Sequence, residues 1–163
     1  MDSVAQRRGD EGGSRSWRVP YALAWLTVFG VYATVYSLSG APLERALRAG
    51  VATLLPMVLL GILVLRHAAR SPADRGAKDL RGHLVTMPLF IAASVAGWAG
   101  LYRLDATIQG TEFKLDFRIA MWQGLMAGFI YVALASVGHA LAGARRAREE
   151  SARAARAEAL RAR

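Results

Sequence analysis

Three histidines and no cysteine stand in this 163-residue chain. Without cysteine there can be no disulfide, thiolate zinc site, iron–sulfur cluster or thiol nucleophile. His139 sits between Gly138 and Ala140 inside a long apolar run. Small neighbours leave room for a large ring over an imidazole, so a haem or chlorophyll-type ligand is conceivable there. A lone histidine near a membrane interface is more often hydrogen-bonded to a neighbour or a headgroup, and no cofactor is expected. His67 and His83 flank a basic segment and read as ordinary surface residues. No Gly-rich nucleotide loop, metal constellation or nucleophile–base pair is present, so the chain is not expected to be an enzyme.

The elements that carry these residues follow from charge segregation. The chain is 54% hydrophobic yet has a net charge of +9, and the two compositions occupy different stretches. Four stretches, about Pro20–Leu38, Ala49–Leu65, Leu84–Tyr102 and Ile119–Ala144, hold no Asp, Glu, Lys or Arg. Each is long enough to cross a hydrocarbon core roughly 30 Å thick at about 1.5 Å per residue. The expected fold is an all-α integral membrane protein with four transmembrane helices. Residues 1–18 would form a flexible tail, 19–144 the membrane domain and 145–163 a basic helix. Arg48 is expected to snorkel at the start of the second span. Uncharged spans argue against pumps, coupled transporters and voltage sensors.

Sixteen Lys and Arg fall in the two tails and the middle loop, and five in the other two loops, which predicts cytoplasmic termini. Trp17, Tyr21, Tyr36, Tyr102 and Trp122 stand where an interfacial aromatic belt would place them.

Within the spans, Pro56 predicts a kink, with Thr53 placed to bond a freed carbonyl. Ala92, Ala96 and Gly100, with Ala93 and Gly97 one residue along, make a small-residue face in the third span. Gly124 and Gly128 make another in the fourth. Either face predicts close helix packing, within the chain, with a second copy or with another membrane subunit. Between the last two spans, Gly110 supplies a turn and residues 112–117 alternate polar and apolar. That pattern is the period of a strand or of a segment lying on the interface, and Phe113, Leu115 and Phe117 are its contact residues. No proline follows Ile119, so the last span and the Ala/Arg/Glu tail are expected to form one helix, with i,i+4 pairs Arg145/Glu149 and Glu149/Arg153. The partners expected are lipid, other membrane subunits or a second copy, and no nucleic acid.

The string Trp122–Leu125, the following Tyr131, Gly138–Ala140 and then Arg145-Arg146-Ala147-Arg148-Glu149 resemble the membrane input region of LytS-type bacterial sensor histidine kinases. The resemblance implies a signal-transmitting module of the bacterial inner membrane. The phosphoacceptor and ATP-binding parts of that family have no counterpart in these residues, and His139, inside a span, is not the phosphoacceptor. The alternative is an accessory or structural subunit of a larger membrane complex, for example a photosynthetic or respiratory one.

Overall fold

The computed structural model describes residues 18–70 and 77–162, so the N-terminal tail through Trp17 lies outside the described residues. Among the described residues there are four helices: α1 (Arg18–Leu38), α2 (Leu43–Arg70), α3 (Ala77–Ile108) and α4 (Phe117–Arg161). All four are long and apolar enough to cross a bilayer. The fold is all-α, and its last span runs without a break into the basic tail.

The helices overrun the uncharged stretches at nearly every end. α2 starts at Leu43, so Arg48 lies inside it, and its guanidinium donates to Glu44 one turn earlier instead of rising alone to the interface. α3 continues through Arg103 and Asp105 to Ile108. Charge limits where hydrocarbon can lie, but it does not end a helix, because Arg, Lys and Glu are good helix formers. Turn chemistry ends it. Gly110 has φ +66°, the amide of Gly110 donates to Thr107 O and that of Thr111 to Ala106 O, the paired bonds of a Schellman C-cap. Gly40 (φ +93°) plays the same part after α1.

The alternating segment 112–117 is not a strand. Residues 111–116 have no regular structure, and Phe117 is already the first residue of α4. One six-residue segment without a partner strand has nowhere to place its backbone hydrogen bonds. Asp116 instead becomes the N-cap, accepting from the Arg118 amide at 2.8 Å. Leu115 and Phe117 are exposed and Phe113 is half-buried.

Two compact units divide the chain within α2, at Leu54. In the first, α1 meets the beginning of α2 at Gly50, where a Cβ would lie 2.8 Å from the Phe29 ring. Thr53 does not serve the backbone opened by Pro56. Its hydroxyl pairs with Tyr32 Oη at 3.3 Å, a partner supplied by α1.

In the second unit, the rest of α2 packs with α3 and α4. Late residues of α2 meet early residues of α3, and early residues of α3 meet late residues of α4, so both neighbours are antiparallel. Pro56 is accommodated inside a continuous α2, and its ring lies against Gly97, where a Cβ would come within 2.9 Å. The Pro88 ring is likewise held inside α3. The face of α3 that packs inward is Phe90, Ser94, Gly97 and Trp98, while Ala92, Ala96 and Gly100 point outward and no atom lies within 4 Å of a Cβ built on Gly100. Small side chains on both faces of a helix leave the choice of face to the large ones, and Phe90 and Trp98 are the ones buried.

α4 buries a narrow stripe of mostly small residues: Gln123, Ala127, Tyr131, Ala135, Gly138 and Ala142. Gly124 and Gly128 face Ile91 of α3, with a built Cβ 3.5 Å from its methyl carbons at each. Outside these stripes large apolar side chains stand free. Leu26, Leu59, Leu89 and Phe129 are all more than half exposed, a surface that only lipid or a partner can cover without cost.

Candidate functional site

The antiparallel pairing of α3 and α4 brings the three histidines together. His83 and His139 stand nearly equally far from the turn at Gly110, on opposite arms of the same hairpin, and therefore at one height. His67 reaches the same level from the end of α2. The His83 ring meets that of His139 at 5.2 Å between centroids and that of His67 at 6.0 Å, edge to face in both cases. His83 is half-buried, a correction to its surface appearance in sequence, while His67 is exposed.

A chain of hydrogen bonds runs from this cluster along α3. His139 Nε2 lies 3.0 Å from His83 Nε2, and His83 Nδ1 lies 2.7 Å from Tyr131 Oη. Tyr131 Oη also bonds Thr86 Oγ1, and the Thr86 hydroxyl donates to Gly82 O at 2.9 Å. Donor counting orients the chain. Thr86 has one hydroxyl proton and a carbonyl can only accept, so Thr86 accepts from Tyr131. The single Tyr131 proton being used there, Tyr131 accepts from His83 Nδ1–H. The remaining His83 nitrogen, Nε2, is the one that meets His139 Nε2.

Tyr131 is buried, as is Phe90, whose ring tilts against it at 5.6 Å. A buried phenol without partners would forfeit a hydrogen bond in a medium that cannot replace it. The network supplies two, which makes it a fastening between α3 and α4 as well as a cluster of titratable groups.

The room beside His139 is not open to a large ring. A Cβ on Gly138 would fall 2.6 Å from Ala68 Cβ and 3.4 Å from Leu65 O, so the glycine is used for close approach of α2 to α4. The haem or chlorophyll-type ligand conceivable from sequence has no slot on that side. Among the described residues no group of three His, Asp or Glu is placed to hold a metal ion.

Gly124, Gly128 and Pro56 line helix contacts, whereas Ala92, Ala96 and Gly100 belong to the outward face, so these residues do not form one site. Near the other end, Phe113 closes a shallow depression with Arg103, Ala106, Thr107 and Thr111. Sequence inspection missed His83, Thr86 and the inward role of Tyr131. The signal that could have found them is the hairpin, since equal distance from a turn makes neighbours of residues far apart in sequence.

Comparisons with family models, with curated proteins and with solved structures find no match to this chain. Its function must therefore be argued from its own geometry.

Proposed function

We propose that this chain is a non-catalytic four-span membrane module that passes a change in the packing of its spans to a cytoplasmic helix. This is the part played by the membrane region of the LytS-type kinases that its last span and tail resemble. The observation that carries the proposal is the continuity of α4. Its 45 residues span about 67 Å at the standard rise, roughly twice a hydrocarbon core. One end is fastened to α3 through Tyr131 and His139 and seated on α2 at Gly138, while beyond Ala144 every described side chain except the half-buried Arg146 is exposed. A rod fixed at one end and free at the other turns a small shift at its seat into movement of its tip.

The sixteen-to-five distribution of basic residues supports cytoplasmic termini and a bacterial inner-membrane location. The tail alone is weakly stabilised. The ion pair of Glu149 with Arg153 at 3.8 Å is exposed, and Leu160 is the tail's only large apolar residue. A second copy is the occupant proposed for it.

A second reading, an accessory subunit of a larger membrane complex, is favoured by the outward stripe of Ala92, Ala96 and Gly100, which suits the close approach of a foreign helix. Because the chain has no cysteine, single replacements discriminate. With Ala147→Cys, Ser151→Cys and Ala155→Cys in native membranes, the relay reading expects disulfide-linked dimers at helically spaced positions. A tail shielded from alkylation at every position without any dimer would overturn it in favour of the subunit reading.

A further inference from the structure

We propose that the depression at the Gly110 end of the α3–α4 hairpin seats the phosphodiester of a phospholipid with a glycerol headgroup, held by Arg103. The inference goes beyond the relay function, since it concerns the contact of the spans with lipid and stands whatever the tail contacts.

After Arg81, Arg103 is the only Lys or Arg in the stretch Arg81–Ile108, which is long and apolar enough to cross a bilayer. A cation within a span calls for a partner. The chain supplies none, for the guanidinium has no hydrogen bond or ion pair with any described residue. Asp105, two residues on, lies round the helix from it and accepts from Gln109 Nε2. Arg103 stands five residues before the last residue of α3, about 7 Å along the axis, which is the depth of the headgroup layer.

The chemistry of the partner follows from the lining. Ala106, Thr107, Thr111 and Phe113 complete the depression with Arg103 and leave about 290 Å³ of space, room for a headgroup and not for a whole lipid. The Thr107 hydroxyl donates to Arg103 O at 2.9 Å and the Thr111 hydroxyl to Ala106 O at 3.3 Å, so neither has a proton left for an anion. The guanidinium is thus the anion donor, a planar fork that matches two oxygens of one phosphate. The threonine oxygens keep lone pairs, which suit the hydroxyls of a glycerol headgroup, whereas an ammonium there would meet the charge of Arg103. Leu104 and Ile108, each next in sequence to Arg103 and Thr107, are 55% and 75% exposed, and one turn deeper no atom lies within 4 Å of a Cβ built on Gly100. Acyl chains cover that apolar surface, which a free phosphate would leave bare.

The test uses the full chain in mild detergent and native mass spectrometry, with phosphatidylglycerol and phosphatidylethanolamine of identical acyl chains as probes. One phosphatidylglycerol is expected to stay bound as detergent is stripped, in preference to phosphatidylethanolamine, and excess inorganic phosphate is expected not to displace it. Arg103→Ala should weaken retention by about tenfold or more, the effect of losing a hydrogen bond to a charged group. Arg118→Ala removes another exposed cation at the same end, outside the depression, and should leave retention unchanged. No retained lipid, equal retention of the two lipids, displacement by inorganic phosphate, or equal losses from the two variants would overturn the proposal. The lipid preference and the phosphate competition are read on the unaltered chain, so the outcome does not depend on a variant folding.

Discussion

Gly138 rests against Ala68 so closely that a Cβ built on the glycine would lie 2.6 Å from the alanine Cβ. Ala68 is itself completely buried, so neither helix can give way there by rotating a side chain. The tightest seat of α4 thus adjoins His139, and backbone approach and histidine pairing act at the same height.

Gly138→Ala should cost about 1–3 kcal/mol, the usual range for overpacking. Gly97→Ala, blocked by Pro56 at 2.9 Å, should behave similarly. Gly143→Ala and Gly100→Ala meet nothing within 4 Å and should be neutral or gain about 0.5–1 kcal/mol from helix propensity. Unfolding in mixed detergent, followed by far-UV circular dichroism, checks the contrast. Equal effects at all four positions would contradict the packing.

Tyr131→Phe removes the phenol that both His83 and Thr86 bond. The loss should be about 1–3 kcal/mol, since a half-buried imidazole donor is left unmatched. Thr86→Val should cost less, because Tyr131 keeps its bond to His83. The same unfolding assay ranks the two, and a harmless Tyr131→Phe would show that the network does not hold the helices together.

Ser94 Oγ is buried without a hydrogen-bond partner, and the residue is 1% exposed. Ser94→Ala should therefore be neutral or stabilising by up to about 1 kcal/mol, the opposite of a functional hydroxyl. Destabilisation would reveal a partner for the hydroxyl in the membrane.

The basic-residue count predicts the topology. Reporter fusions at Arg163 and within residues 107–112 should report opposite sides of the membrane, with Arg163 cytoplasmic. A periplasmic signal from the Arg163 fusion would reverse the assignment.

Proline inserted after Ala144 should uncouple the tail while leaving membrane insertion intact. In the assembled protein, amide exchange across residues 145–161 should be slowed by the partner that covers the helix. Exchange at the rate of an unstructured chain throughout would exclude both the relay and the docking reading of the tail.

Number and kind of helices were legible in the sequence because they depend on local quantities. Uncharged length marks the four spans, a proline-free run of helix formers carries α4 through to Arg161, and Gly110 stops α3. What no local quantity decides is which residues meet. Ala92, Ala96 and Gly100 look as good a packing face as Gly97, and only the burial of Phe90 and Trp98 turns α3 toward the latter. Thr53 finds Tyr32 instead of its own backbone, and residues 112–117 lack the partner strand their alternation would need. His83 is the clearest case. Flanking a basic segment it reads as surface, and it becomes part of a network only because the α3–α4 hairpin sets it opposite Tyr131 and His139. Those side chains lie 48 and 56 residues away, a separation that folding closes and sequence periodicity does not record.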